Sequence, residues 1–441
     1  MEFFGREEEL AELRKIREVS REHARFTVVT GRRRIGKTEL VKRAFADGIT
    51  PCLYWLVTRK PERVQAAAFQ QEAEKVLGIR IRGRCESFSE VFEEVMAAAK
   101  DMPLTLIVDE FQEFDRIDAG IFGDVQRVWD EWQARAKVNL VVCGSINRLM
   151  NKIFFNDAEP LYGRNTGRLD LKPFGTALLK KILAHYHPSY TPRDLVALWT
   201  ITGGIARYVD LLMTNRAFTL KTMLETVFGR ITSFVDEGKI VLVEEFGKDY
   251  GTYFAILSAI ASGRTSCAEI KNEVGVEVGG YLTKLEESYA MIAKKQPIFE
   301  KTSNKNCHYQ IDDCFFRFWF RFIFKYQYLV ELGRFEELRA LVQRDFNVFA
   351  GYALERYFVW KFTEETRCTR IGGWWDRKGE NEIDLVVEDE FAGTLDFREV
   401  KLDASRFNPA DLERKVQAFL KKNPEKVALK RTLAGISLAD M

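Results

Sequence analysis

The stretch "FTVVTGRRRIGKTELVKRAF", residues 26–45, decides the fold. The β-branched and apolar residues Phe26 to Thr30 run into a glycine-bounded loop, after which Leu40, Val41 and Phe45 recur at helical spacing. Strand, loop and helix in that order, with G-x-x-x-x-G-K-T between them, make a phosphate-binding loop. Its backbone N–H groups and the helix N-terminus converge on phosphate oxygens, Lys37 reaches the β and γ phosphates, and Thr38 offers its hydroxyl to Mg²⁺. Gly31, Arg32, Arg33, Arg34, Ile35, Gly36, Lys37, Thr38 and Glu39 are therefore read as the nucleotide-contacting set, with ATP and Mg²⁺ as cofactors. A glycine-rich turn carrying a merely solvated lysine is the alternative, and the flanking strand and helix argue against it.

Such a loop needs an acidic partner at the end of a buried strand, and "LTLIVDEFQEF" supplies one. Leu104 to Val108 form a continuous apolar run followed at once by Asp109, placed to hold Mg²⁺, and Glu110, placed to polarise an attacking water. The pair predicts hydrolysis as well as binding, against the alternative of two acids opening a helix. A further strand, "VNLVVCGS", ends at Ser145 with Asn147 just beyond, where a polar side chain senses the γ-phosphate or simply closes a turn.

Bulk properties set the frame. A chain of 441 residues, 46% hydrophobic and 30% charged, holds about three domains at roughly 150 residues each. The 67 basic and 65 acidic residues nearly cancel, so only local clusters could favour a polyanion. Seven scattered cysteines without a C-x-x-C pair fit neither a disulfide framework nor a zinc site, and suit a reducing cytoplasm. The most apolar windows are broken by charges such as Arg207 and Asp210, so no membrane span is expected.

Strand-like runs alternate with helical patterns through residue 174, the signature of an α/β parallel sheet. The expected plan is an ATPase core over 1–174, a helical lid over 175–240, a winged helix over 241–312, connecting helices over 313–345, and a last α/β domain over 346–441. In the winged-helix region the third helix, near Gly279 or Gly280, exposes Tyr281, Thr283, Lys284, Glu286 and Glu287, and the wing carries Lys294, Lys295, Lys301 and Lys305. Wing lysines favour phosphate contacts. The two glutamates oppose them, which leaves a packing or protein-contact module as the alternative. Arg317, Arg321 and Lys325 recur at i, i+4 and i+8 and would make one basic stripe on an aromatic helix, with the polar face of a buried connector as the commoner alternative.

The motifs "FFGREEEL", "GRRRIGKT", "LIVDEFQEF", "VVCGS", "PLYGRNTGRLDLKPF", "TGGIARYV", "YQIDDCFFRFWFRF" and "NEIDLVV…FREVK" resemble a family of archaeal and bacterial P-loop ATPases of the AAA+/STAND lineage. Its members carry a C-terminal domain of unknown function that resembles a nuclease, and the likeness covers nearly the whole chain. It implies that Gly5 and Arg6 lie near the adenine, that Ser145 is a sensor, that Arg164 or Arg168 is an arginine finger acting within a homo-oligomer, and that Arg207 serves the lid. Ala206 stands where relatives usually have proline. A surface ion pair is the alternative role for Arg164 or Arg168.

In the last domain, strand periodicity puts Glu382 and Asp384 on one face of their strand, and Glu399 and Lys401 on one face of theirs. With Glu355 on the helix upstream, these resemble the PD-(D/E)xK nuclease core, in which Asp384 and Glu399 would bind Mg²⁺ and Lys401 would orient water or steady developing charge. A structural acid–lysine network, or a nuclease fold that has lost its chemistry, is the alternative. The sequence thus reads as a cytoplasmic Mg²⁺-ATPase acting on DNA, with a nuclease-like C-terminal domain. The competing reading is a nucleotide switch that signals through a protein partner.

Overall fold

Strand β1 (Arg25–Gly31) forms from the opening stretch because Phe26 to Gly31 are all buried, as a central parallel strand requires. The computed structural model describes residues 1–145, 147–229, 231–247, 250–300 and 307–441, so Lys301 and Lys305 of the expected wing lie outside the described residues. The chain divides into two units, Phe4–Lys172, and Met1–Phe3 with Pro173–Met441.

In the first unit, β2 (Cys52–Leu56), β3 (Leu104–Asp109), β4 (Val138–Cys143) and β5 (Gly167–Leu171) join β1 in the order β2-β3-β4-β1-β5. All neighbours are parallel, with Val28 opposite Val142 and Leu106 opposite Leu140. Helices cover the sheet, and the core beneath them is aromatic, with the Phe26 and Trp129 ring centroids 5.1 Å apart. The order sets the carboxyl ends of β1 and β3 on the same edge, where α/β sheets bind ligands.

The second unit begins with helices Thr176–Tyr186, Pro192–Thr202, Ala206–Thr214 and Leu220–Val227. Helix Phe234–Phe246 runs through the expected boundary at 240/241. Helices Tyr250–Ala261, Cys267–Val274 and Gly279–Thr283 lead into the antiparallel pair β6 (Ile292–Lys295) and β7 (His308–Ile311). The third helix passes into a π-helical turn at Lys284–Ser288.

A second π-helical turn, Trp319–Phe324, interrupts the expected stripe of Arg317, Arg321 and Lys325. Wider turns rotate side chains off the 3.6-residue repeat. Arg317 stacks on Tyr352 at 3.5 Å, whereas Arg321 pairs with Asp345 at 3.2 Å.

The 31-residue helix Phe335–Glu365 continues unbroken through the expected boundary at 345/346. It precedes β8 (Arg370–Trp375), β9 (Glu382–Asp389) and β10 (Thr394–Val400), which are successively antiparallel. Helix Pro409–Lys422 then returns the chain to β11 (Lys430–Ile436), parallel to β10, giving the order β11-β10-β9-β8.

Candidate functional site

The loop after β1 is shaped by glycine where no other residue fits. Gly31 has φ +141°, and a Cβ there would lie 2.6 Å from the Leu171 carbonyl oxygen. Gly36, at φ 98°, opens the helix Lys37–Ala44, and Arg34 is also left-handed at φ 68°. Ile35 is buried and anchors the loop from below. Lys37 is folded back, its Nζ donating to the carbonyls of Gly31 at 2.8 Å and Arg32 at 3.0 Å. Burial pulls its pKa down, opposed by the charges of Glu110 and Asp109. Glu39 makes an exposed pair with Arg43 at 3.3 Å.

Asp109, at the end of β3, is buried and fully engaged. Its Oδ2 accepts from Thr38 Oγ1 at 2.7 Å and from the Tyr54 hydroxyl at 2.8 Å, and its Oδ1 accepts from the Glu110 N–H at 2.9 Å. Glu110 takes φ 54°, an unfavourable conformation for a non-glycine residue that the end of β3 imposes. Its Oε2 accepts from Ser145 Oγ at 2.8 Å and from Gln112 Nε2. Carboxylate, hydroxyl and ammonium groups thus line one edge of the sheet beside the glycine loop, an arrangement able to hold a triphosphate and a hard cation.

Other residues named from the sequence are placed as follows. Gly5 and Arg6 both have positive φ, and Arg6 bonds Glu9 at 2.8 Å and the Lys172 carbonyl at 2.6 Å. Arg164 pairs with Asp130 at 3.2 Å. Arg168 lies 4.2 Å from the centroid of the Phe155 ring. Arg207 belongs to the second unit, where it is exposed and pairs with Asp210 at 3.5 Å.

Sequence reasoning missed Tyr54 and Gln112. Burial and then the adjacent Asp109 charge push the Tyr54 pKa well up, so it remains a donor, and the Lys42 ammonium sits 3.9 Å from its ring centroid. Gln112 is fully buried two residues past the acid pair. The only signal for it was a polar residue inside the apolar "FQEF".

A second cluster stands in the C-terminal sheet. Lys401 Nζ donates to Glu399 Oε2 at 2.8 Å and to Asp384 Oδ2 at 3.2 Å, and the Val400 N–H reaches that same Asp384 oxygen at 2.7 Å. Lys415, which the sequence did not flag, donates to Glu399 Oε1 at 2.8 Å and pairs with Asp411 at 3.1 Å. Burial, then the charges of Asp384 and Glu382, lift Glu355 to about 8. Burial and Glu399 lift Asp384 to about 6. Burial alone would raise Glu399 too, but bonds from the two lysines hold it below its ordinary value. Among the described residues, no group of three or more His, Cys, Asp or Glu is arranged to hold a metal ion.

The glycine loop, its lysine and threonine, and the acid pair ending the nearby β3 define a P-loop ATPase. The family described as an ATPase domain predominantly from Archaea matches residues 3–212, and a family of archaeal and bacterial proteins of unknown function matches residues 319–415. An uncharacterized protein of Methanocaldococcus jannaschii is 30% identical over 411 residues, 90% of this chain and 87% of that one. The chain belongs to this family of ATPases with a C-terminal domain of unknown function.

Two solved structures share the fold. The Walker-type ATPase of Pyrococcus abyssi has a TM-score of 0.54 and 20% identity, over 72% of this chain and 96% of that one. The ORC2 protein of Aeropyrum pernix, in ADPNP–ADP complexes, has a TM-score of 0.52 and 14% identity, over 78% and 96%. No helix among the described residues is long and apolar enough to cross a membrane, and all seven cysteines are free.

Proposed function

We propose that this ATPase is Mg²⁺-dependent, works as a homo-oligomer and acts on DNA, with its C-terminal domain as the DNA-processing or DNA-gripping part. In this reading the loop N–H groups and Lys37 hold the phosphates, Glu110 orients the attacking water, and Ser145 reports the γ-phosphate. Thr38 and Asp109 would hold Mg²⁺, which neutralises charge on the phosphate oxygens; their adjacent hard oxygen donors fit that ion. Arg164 or Arg168 would stabilise transition-state charge from a neighbouring subunit, Gly5 and Arg6 would border the adenine, and Arg207 would serve the lid. Ser145 and Gln112 both donate to Oε2 of Glu110, so water binding requires Glu110 to exchange one of these bonds or to use Oε1.

The observation that carries the DNA reading is the convergence of Asp384 in β9, Glu399 in β10 and Lys401 just beyond β10, with Lys401 bonded to both acids. Helix, three antiparallel strands, helix and a parallel strand is the order of the PD-(D/E)xK core. The three helices from Tyr250 to Thr283 and the β6–β7 hairpin after them follow the order of a winged helix, which supports phosphate contact there, although Lys295 of the wing already pairs with Asp312 at 3.4 Å. Two adjacent carboxylates suit a divalent cation completed by substrate phosphates.

The test is cleavage of linear, branched and single-stranded DNA with Mg²⁺ or Mn²⁺, comparing wild type with Asp384→Ala. Products that disappear in the variant while ATP hydrolysis persists support an active nuclease.

One observation favours a second reading: lysines already occupy both oxygens of Glu399. A retired nuclease fold that grips DNA or a protein would look the same. It predicts no cleavage by either protein, and the switch version predicts no DNA-stimulated ATP hydrolysis.

A further inference from the structure

Between helices Glu62–Leu77 and Phe88–Ala98 the chain reads Gly78-Ile79-Arg80-Ile81-Arg82-Gly83-Arg84-Cys85. Arg80, Arg82 and Arg84 are all exposed, and none makes a hydrogen bond or ion pair with another described residue. Their neighbours point the other way. Ile81 and Cys85 are buried, and Ile79 packs against the aromatic core of the ATPase unit.

The backbone between them is fixed by side chains committed to that purpose. The buried Gln70 donates through Nε2 to the Gly83 carbonyl and accepts from the Cys85 N–H, both at 2.9 Å. Glu74 accepts from the Ile81 N–H at 2.9 Å. Gly83 supplies the left-handed turn at φ +83°. The nearby acids are engaged elsewhere, since Glu86 pairs with Arg63 and Glu90 accepts from the Glu86 N–H.

Ordering a mobile loop would cost about 1–2 kcal/mol per residue. This loop is ordered in advance, so its cations meet an anion without that loss. The Cα atoms of arginines two residues apart lie at most about 7 Å apart, so their long side chains can reach successive phosphates of one strand. Guanidinium forks match phosphate oxygens bidentately. Because Ile81 and Cys85 are turned into the core, the side chains that the loop presents to solvent are its arginines.

We propose that Gly78–Cys85 is a sequence-independent grip on the phosphate backbone of nucleic acid, built into the ATPase unit and separate from the β6–β7 wing. This rests on the reading of DNA as the partner.

The test measures binding of labelled duplex and single-stranded DNA to the full chain across a salt series. Three proteins are compared: wild type, an Arg80→Ala/Arg82→Ala/Arg84→Ala triple variant, and the corresponding Arg→Lys triple. Losing three phosphate contacts should flatten the slope of log Kd against log salt by about two to three. Affinity near 0.1 M salt should fall at least tenfold, the lysine triple should restore the slope, and ATP hydrolysis without DNA should be unchanged. Wild-type binding with an unaltered slope in the alanine triple overturns the grip and leaves the DNA reading standing. No binding by wild type removes both. Competition by polyglutamate as strong as by DNA at equal charge would overturn the proposal in favour of an acidic protein partner.

Discussion

Thr38 Oγ1 donates to Asp109 Oδ2 at 2.7 Å, joining the first turn after the glycine loop to the end of β3 across 71 residues of sequence. The Tyr54 hydroxyl shares that oxygen. A cation taking the Thr38 hydroxyl would leave Tyr54 as the remaining side-chain donor to Asp109, so the ATPase reading can be dissected residue by residue.

If Lys37 holds the phosphates as proposed, Lys37→Ala should weaken ATP binding at least tenfold. Glu110→Gln should keep binding near wild type while hydrolysis falls about 10²–10⁴-fold, the usual contribution of a positioned general base. Equilibrium binding of a fluorescent ATP analogue, measured beside phosphate release, separates the two. Residual turnover in Glu110→Gln equal to wild type would remove Glu110 from the chemistry.

Tyr54→Phe keeps the ring under Lys42 and deletes only the bond to Asp109. The Mg²⁺ concentration that half-saturates nucleotide binding should rise several-fold, with metal-free nucleotide affinity unchanged. Titrating Mg²⁺ into the protein with a fluorescent nucleotide reads this directly. A lowered melting temperature with an unshifted Mg²⁺ midpoint would assign Tyr54 a packing role alone.

Glu355 binds its proton more tightly in the folded protein than in the unfolded chain, where its value is near 4.5. Its contribution to stability therefore falls as pH rises from 4.5 towards about 8. Glu355→Gln should raise the melting temperature relative to wild type above pH 8, and the gap should close below pH 4.5. Melting curves at pH 4, 6 and 8.5 check both the sign and the window. A variant less stable at every pH would mean that Glu355 makes a necessary structural bond.

Arg164 holds the surface acid Asp130, a pair worth about 0–1 kcal/mol, and donates to the Tyr162 carbonyl at 3.0 Å. Arg164→Ala should barely move the melting temperature. If Arg164 completes a neighbouring subunit's site, wild-type ATPase rate per subunit should climb with protein concentration and the variant should lose that climb. A flat wild-type rate across the assembly range, established by sedimentation, would point to a finger within the same chain or to none.

What was legible in the sequence was local. Strand, loop and helix lie consecutively around Gly31 and Lys37, and Asp109 and Glu110 directly end an apolar run, so spacing alone identifies them. Tyr54 was hidden because its meaning depends on β2 pairing with β3, which sets Leu56 opposite Asp109. Lys415 was hidden for a similar reason, since only the packing of helix Pro409–Lys422 brings it to Glu399. The boundary at 345/346 falls inside helix Phe335–Glu365, whose hydrogen-bond ladder continues through it. The stripe of Arg317, Arg321 and Lys325 assumed a uniform α-helix, and a π-helical turn at Trp319–Phe324 breaks that repeat.

The helix Phe335–Glu365 also acts as a beam. Leu338, near one end, is buried, Glu355 lies further along, and Glu364 at the far end accepts from the Thr176 hydroxyl at 2.7 Å and from the Thr176 N–H at 3.1 Å. An uninterrupted helix from Leu338 to Glu364 is about 39 Å long at about 1.5 Å per residue and has no hinge in which to lose a rotation. The same helix therefore carries both the Glu355 carboxyl and the Glu364 carboxylate that caps helix Thr176–Tyr186. One continuous helix thus ties the acid cluster of the C-terminal sheet to the helices after Pro173, with no loop between them to let one drift from the other.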